Sequence, residues 1–152
     1  MNLCGECSAC CTALRIDKKE IFWKDGDKVA GETCEKLSNG QCSIYEERPP
    51  ACVKYECLWL QLSKLTDMNP DFRPDKLDAM VSTHYYEAKN EFTFTIKELK
   101  KDRIDLNKLD KDLDQFLDII FKVATQQKGT GVIIMKLFGQ KNGYRLNQNL
   151  GG

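Results

Sequence analysis

Cys4, Cys7, Cys10, Cys11, Cys34, Cys42, Cys52 and Cys57 are the residues of this 152-residue chain whose type and spacing carry chemistry. All eight cysteines fall within the first 57 positions and none follows. Thiolates crowded at such intervals hold zinc, iron or an iron-sulfur cluster, because the deprotonated sulfur is a soft anionic donor and short spacers let several sulfurs turn to one centre. In Cys4-Gly5-Glu6-Cys7-Ser8-Ala9-Cys10-Cys11 the spacers are mostly small, so backbone N-H groups can approach the sulfurs. Wound as a helix, the segment would place its four sulfurs within about a third of the circumference. Cys10 and Cys11 are adjacent, and adjacent side chains diverge along an extended backbone, which argues against both on one tetrahedral ion. Two sites, or one polynuclear site, accommodate eight thiolate ligands more naturally.

Two familiar templates do not fit. Bacterial ferredoxins continue a C-x2-C-x2-C run with three residues, a cysteine and a proline, whereas here Cys11 follows Cys10 at once and Thr12 follows it. Structural zinc sites pair two short knuckles, whereas Cys34 and Cys42 are separated by seven residues and Cys52 and Cys57 by four. The cofactor therefore stays open between an iron-sulfur cluster and Zn2+.

The pattern as a whole resembles the CxxCxxCC, or YkgJ-like, cysteine-cluster family, whose members are described as zinc- or iron-chelating. The match runs through Cys4-x2-Cys7-x2-Cys10-Cys11, Gly40-x-Cys42-x-Ile44-Tyr45, Arg48-Pro49-x2-Cys52 and x4-Cys57, and covers residues 4 to about 60. Beyond that stretch the likeness is limited to Arg73-Pro74. The resemblance implies metal or iron-sulfur binding by these cysteines. Two classes of function are compatible with it: a metal-binding protein with a redox role, or a non-catalytic interaction module whose zinc is purely structural.

Other residues carry less. Arg48 is either a counter-charge to anionic sulfur or a surface arginine at a helix start. His84, the single histidine, reads as a sheet residue flanked by Thr83 and Tyr85 rather than a ninth ligand. Gly129-Thr130-Gly131 is too short for a phosphate loop and reads as a helix stop.

The elements that must position the thiols follow from periodicity. The first third, to about Asn39, has little pattern, as in small segments where a metal stands in for part of the core. Asn39-Gly40 marks a sharp turn two residues before Cys42. Arg48-Pro49-Pro50 opens an expected helix through about Leu65, with Cys52 near its N-terminus, where the helix dipole favours a thiolate. A connecting loop is expected from Thr66 to Lys76. Strands are expected over Ala79 to Glu87 and Glu91 to Ile96, turning at Ala88-Lys89-Asn90. A long amphipathic helix is expected from Asn107 to Gln127, with Leu109, Leu113, Phe116, Leu117, Ile120, Phe121 and Ala124 facing the core. Val132 to Phe138 and Tyr144 to Leu146 form a second expected hairpin, and Asn147 to Gly152 an expected frayed tail. The fold class is α+β in a single domain, 1-152. An irregular cysteine-rich metal-binding lobe, 1-65, packs on a small antiparallel sheet with one long amphipathic helix, 66-152.

Composition bounds the partners. The content is 41% hydrophobic, enough for one modest core. Lysine plus arginine equals aspartate plus glutamate at 23 each, so the chain has no net field of the kind that draws proteins to nucleic acid or anionic membrane. Runs such as Lys97-Glu98-Leu99-Lys100-Lys101-Asp102-Arg103 read as solvated faces. Neither a secretory signal nor an apolar span of membrane length is visible, which points to the cytoplasm. In that reducing compartment clustered thiols hold metal more readily than they form disulfides.

Overall fold

The computed structural model describes residues 7–127, 129–140 and 142–146. Cys4 and the tail 147–152 lie outside them. The chain divides into two compact units, Met1–Glu56 and Cys57–Gly152.

The first unit has little regular structure. Helix α1 (Ala9–Ala13) is one turn long and stops where Leu14 turns extended. Beyond it Ile16 and Lys28 exchange both backbone hydrogen bonds at 2.9 Å. Two short strands, β1 (Leu37–Ser38) and β2 (Gln41–Cys42), form an antiparallel hairpin. Its two-residue turn is Asn39-Gly40, with φ of 51° and 76°. Both central residues are left-handed, the geometry that matches the twist of paired strands and that asparagine and glycine tolerate best. A single turn of 3-10 helix over Tyr45–Glu47 leads to α2 (Pro50–Lys54). Pro50 begins α2, where its fixed φ suits the helix and its missing N-H costs nothing. The next N-H, of Ala51, donates to the Glu20 carboxylate at 2.7 Å.

The helix expected from Arg48 to Leu65 is broken. Backbone at Tyr55 and Cys57 is extended, and a separate helix, α3 (Leu58–Ser63), begins after Cys57. Helix propensity differs by only tenths of a kcal/mol among the residues concerned, too little to hold a helix together when its two ends belong to different units. Of the apolar positions of α3, Leu58 and Trp59 are buried, and the Trp59 indole donates to the Asn69 carbonyl at 3.0 Å.

Within the second unit the expected loop from Thr66 to Lys76 contains a 3-10 turn over Pro70–Phe72 and a short helix, α4 (Pro74–Leu77). In each a proline occupies the first turn. Strands β3 (Ala79–Tyr86) and β4 (Glu91–Glu98) pair antiparallel, close to the expected bounds. Helix α5 (Lys111–Thr125) is the long amphipathic helix; it starts later and stops sooner than expected. Asp110 caps it by accepting from the Leu113 N-H at 3.0 Å. Strands β5 (Thr130–Lys136) and β6 (Tyr144–Arg145) form the second expected hairpin.

The sheet order is β3-β4-β5-β6, and β4 and β5 run parallel. The sheet is therefore mixed, not antiparallel. Parallel neighbours cannot be joined by a tight turn, and α5 supplies the crossover between β4 and β5. Phe94 and Ile96 pair with Ile133 and Met135, so these four residues share one sheet face. All four are 2% exposed or less. Phe92 pairs with Gly131 on the same face, and a Cβ at Gly131 would meet the Ala124 carbonyl oxygen at 2.6 Å. Glycine there lets α5 lie directly on the sheet, where Phe116 and Ile120 complete the core. No helix among the described residues is long and apolar enough to cross a membrane.

Candidate metal centre

Four segments of the first unit bring thiols together. Cys10 and Cys11 lie on α1, Cys34 on the loop before β1, Cys42 at the end of β2 and Cys52 within α2. Long-range backbone bonds fix their relation. The Cys34 N-H donates to the Cys11 carbonyl at 2.9 Å, and the Gly31 N-H donates to the Thr12 carbonyl at 2.8 Å. With the Ile16-Lys28 bridge these bonds form an irregular antiparallel ladder that sets Cys34 beside Cys11. The Lys36 N-H donates to the Cys34 sulfur at 3.4 Å, the kind of backbone contact that steadies an anionic sulfur.

The five thiols lie within electrostatic reach of one another. Cys11 feels Cys42, Cys34 and Cys52, and Cys52 feels Cys10, Cys34 and Cys42. The adjacent pair is coupled, with the Cys10 thiol as hydrogen-bond donor to the Cys11 sulfur, which lowers the Cys11 pKa and raises that of Cys10. Burial, then the charge of neighbouring thiols, pushes Cys52 up to about 11. A crowd of thiols in this state resists losing several protons at once unless a cation joins them.

Two cationic side chains face the group. Arg48 acts favourably on the charged forms of Cys10 and Cys52. Its Nε donates to the Tyr45 carbonyl at 2.8 Å, and its guanidinium lies 3.9 Å from the centre of the Tyr45 ring. The charge of Arg48 acting on both thiols accords with the counter-charge reading. Lys28 is the second cation and nothing in its sequence surroundings separates it from the other basic residues. It is 1% exposed, and its Nζ donates to the Leu14 carbonyl at 2.6 Å and the Thr12 carbonyl at 3.3 Å.

Of the remaining cysteines, Cys7 is half-buried. Cys57 is buried at the N-cap of α3 and belongs to the second unit. Since α2 and α3 are separate helices, the angular offset that one continuous helix would impose between Cys52 and Cys57 does not apply. His84 is exposed on β3, its ring edge-on to Tyr86 at 4.4 Å.

Five sulfur donors with two nearby cations suit a soft or borderline centre, zinc or iron-sulfur, and not the oxygen-seeking Ca2+ or Mg2+. Among the described residues, no set of three or more Cys, His, Asp or Glu side chains is already drawn to metal-holding distance. After β2 a shallow depression of about 280 Å³ is lined by residues from Cys42 to Glu47. Compared with family models, curated proteins and solved structures, the chain finds no match.

Proposed function

We propose that residues 1–65 form a metal-binding lobe in which the cysteines chelate an iron-sulfur cluster or zinc, with a redox role for the loaded centre. The observation that carries this reading is the convergence of Cys10, Cys11, Cys34, Cys42 and Cys52 from four separate segments onto one electrostatically coupled group. Ordinary core thiols do not gather in this way, and unligated they are open to oxidation. Cys4, Cys7 and Cys57 join the ligand set on the strength of the CxxCxxCC, YkgJ-like spacing, and membership of that family is part of the proposal. A cytoplasmic location, where thiolates stay reduced, goes with it. The bound group would supply electron transfer if it is an iron-sulfur cluster. The chain's own part is to gather the thiolates and offset their charge with Arg48 and Lys28.

A second reading, an interaction module with structural zinc only, is favoured by one observation. Among the described residues of the first unit, Ala13, Ile16, Ile21 and Pro49 are the buried apolar side chains. So small a core leaves a purely architectural task for a metal.

Anaerobic purification followed by iron, acid-labile sulfide and zinc quantification per chain separates the two. Iron with sulfide and a visible absorption that bleaches with dithionite supports the redox reading. Zinc without colour supports the structural one. A purified protein that neither carries nor takes up metal sinks both.

A further inference from the structure

One lysine, Lys28, is buried beside the thiols. A lysine stem rarely lies wholly inside a protein without a purpose, because moving an ammonium out of water is costly unless fixed partners replace the water. Lys28 is 1% exposed, and its two hydrogen-bond acceptors are the carbonyls of Thr12 and Leu14, in the segment that leaves α1 directly after Cys10 and Cys11. Carbonyls are neutral, so they orient the ammonium without cancelling its charge. Burial pushes the Lys28 ammonium toward its neutral form, and Cys34, Glu32, Cys11 and Cys52 act against that push. Glu32 already pairs with Lys24 at 2.9 Å and accepts from the Val29 N-H at 3.1 Å. The remaining neighbours that would hold the buried ammonium charged are Cys34, Cys11 and Cys52, once a metal has drawn off their protons.

Position supports the same conclusion. Lys28 stands in the ladder that joins residues 11–16 to residues 28–34, bonded to Ile16 through its backbone at one end while Cys34 is bonded to Cys11 at the other. Its charge is thus built into the frame that sets two cysteine-bearing segments side by side. A divalent ion with four thiolates, or a resting cluster with four, carries a net charge of about 2−. Two fixed cations, Arg48 and Lys28, balance that charge.

We propose that Lys28 is a positioning residue of the thiolate centre, a fixed buried counter-charge that stabilises the metal-loaded state. This inference rests on the metal-binding reading above. It predicts that Lys28 matters chiefly once metal is bound, whereas a backbone clip would matter equally to the metal-free and loaded protein.

The test titrates the full chain anaerobically with Co2+, a spectroscopic substitute for zinc or iron, against a competing chelator. Wild type is compared with Lys28→Gln, which keeps a donor for the two carbonyls but drops the charge, with Lys28→Met, and with Lys28→Arg. The expected result is thiolate-to-cobalt absorption of unchanged shape in Lys28→Gln and Lys28→Met, with affinity weaker by on the order of tenfold or more. Lys28→Arg should restore most of it. Equal affinity in wild type and the neutral variants overturns the inference. So does an altered band shape, or equal loss in all three variants, since either marks a structural clip. Neutral variants that lack the wild-type circular dichroism before metal is added overturn it as well. No cobalt absorption in wild type is a different failure: it removes the metal-binding reading itself, and this inference with it.

Discussion

Stripping metal from the loaded protein should unfold the first unit and leave the second intact. Among the described residues the first unit buries Ile16, Ile21, Ala13 and Pro49, of which each isoleucine contributes about 2 kcal/mol and the alanine and proline less. A structural zinc held by thiolates contributes about 10–16 kcal/mol at neutral pH, more than the apolar burial of the whole unit. The second unit needs no such help: Phe94, Ile96, Ile133, Met135, Phe116 and Ile120 are all buried to 3% exposure or less. Amide hydrogen exchange followed by mass spectrometry, with and without chelator under reducing conditions, reads both units at once. Peptides containing the amides of Lys28, Gly31 and Cys34, which close the ladder to Ile16, Thr12 and Cys11, should lose protection by several orders of magnitude. Peptides covering β4 and β5 should hold their protection within about threefold. If the ladder amides keep their protection after the metal is gone, the metal is not what orders the unit. If β4 and β5 open together with the ladder, the independence of the two cores is refuted.

Glu98 is 5% exposed and accepts from the N-H groups of Ile104 at 2.9 Å and Phe138 at 3.0 Å. Glu98→Ala leaves both donors without their charged acceptor and should cost about 3 kcal/mol in urea unfolding of the second unit; a loss under 1 kcal/mol contradicts this. Gly131→Ala sets a methyl against the Ala124 carbonyl and should cost about 1–3 kcal/mol by the same measurement, with wild-type stability as the contrary result. Asp110→Ala removes the α5 N-cap and should cost about 1 kcal/mol at pH 7. The Leu113 N-H, and then Arg103, hold the Asp110 carboxyl below the usual carboxylate range. Its contribution is therefore complete above the unfolded value of about 3.9 and fades as pH falls through the lower folded value. Wild type and Asp110→Ala should converge in stability as pH drops from 5 toward about 2. A gap that stays constant with pH would mean the carboxylate charge is not involved.

The elements of the second unit were legible because their patterns are periodic. Phe92, Phe94 and Ile96 alternate along β4, and Leu113, Phe116, Leu117, Ile120 and Ala124 follow the helical repeat of α5. Strand direction was not legible, because a strand buried on one face reads the same beside a parallel or an antiparallel neighbour. The pairing of Phe94 with Ile133 belongs to the crossover, not to either strand's own residues. The interruption between α2 and α3 was hidden for the opposite reason, since local propensity there favours continuity. At the candidate centre the cysteines announce themselves by type. Lys28 does not, because its significance lies in a burial that is produced by contacts sixteen and fourteen residues away, with Thr12 and Leu14.

The same distinction explains why the later cysteine spacings match no zinc knuckle. In a knuckle the metal itself closes a short turn, so two to four residues separate its ligands. Here backbone hydrogen bonds also trace the turn. Cys34 is tied to Cys11 by its N-H, the chain reverses with the Leu37 N-H donating to the Cys34 carbonyl at 3.1 Å, and Asn39-Gly40 returns it so that Cys42 pairs with Leu37. Seven residues between Cys34 and Cys42 is thus the length of a hairpin and its approach, not of a metal-closed loop. Register then becomes the quantity that aims the sulfurs: a slip of one residue in the hairpin would turn Cys42 to the opposite face, away from Cys11 and Cys52. The left-handed pair at Asn39 and Gly40 pins that register, which ties these two residues to the placement of the Cys42 thiol.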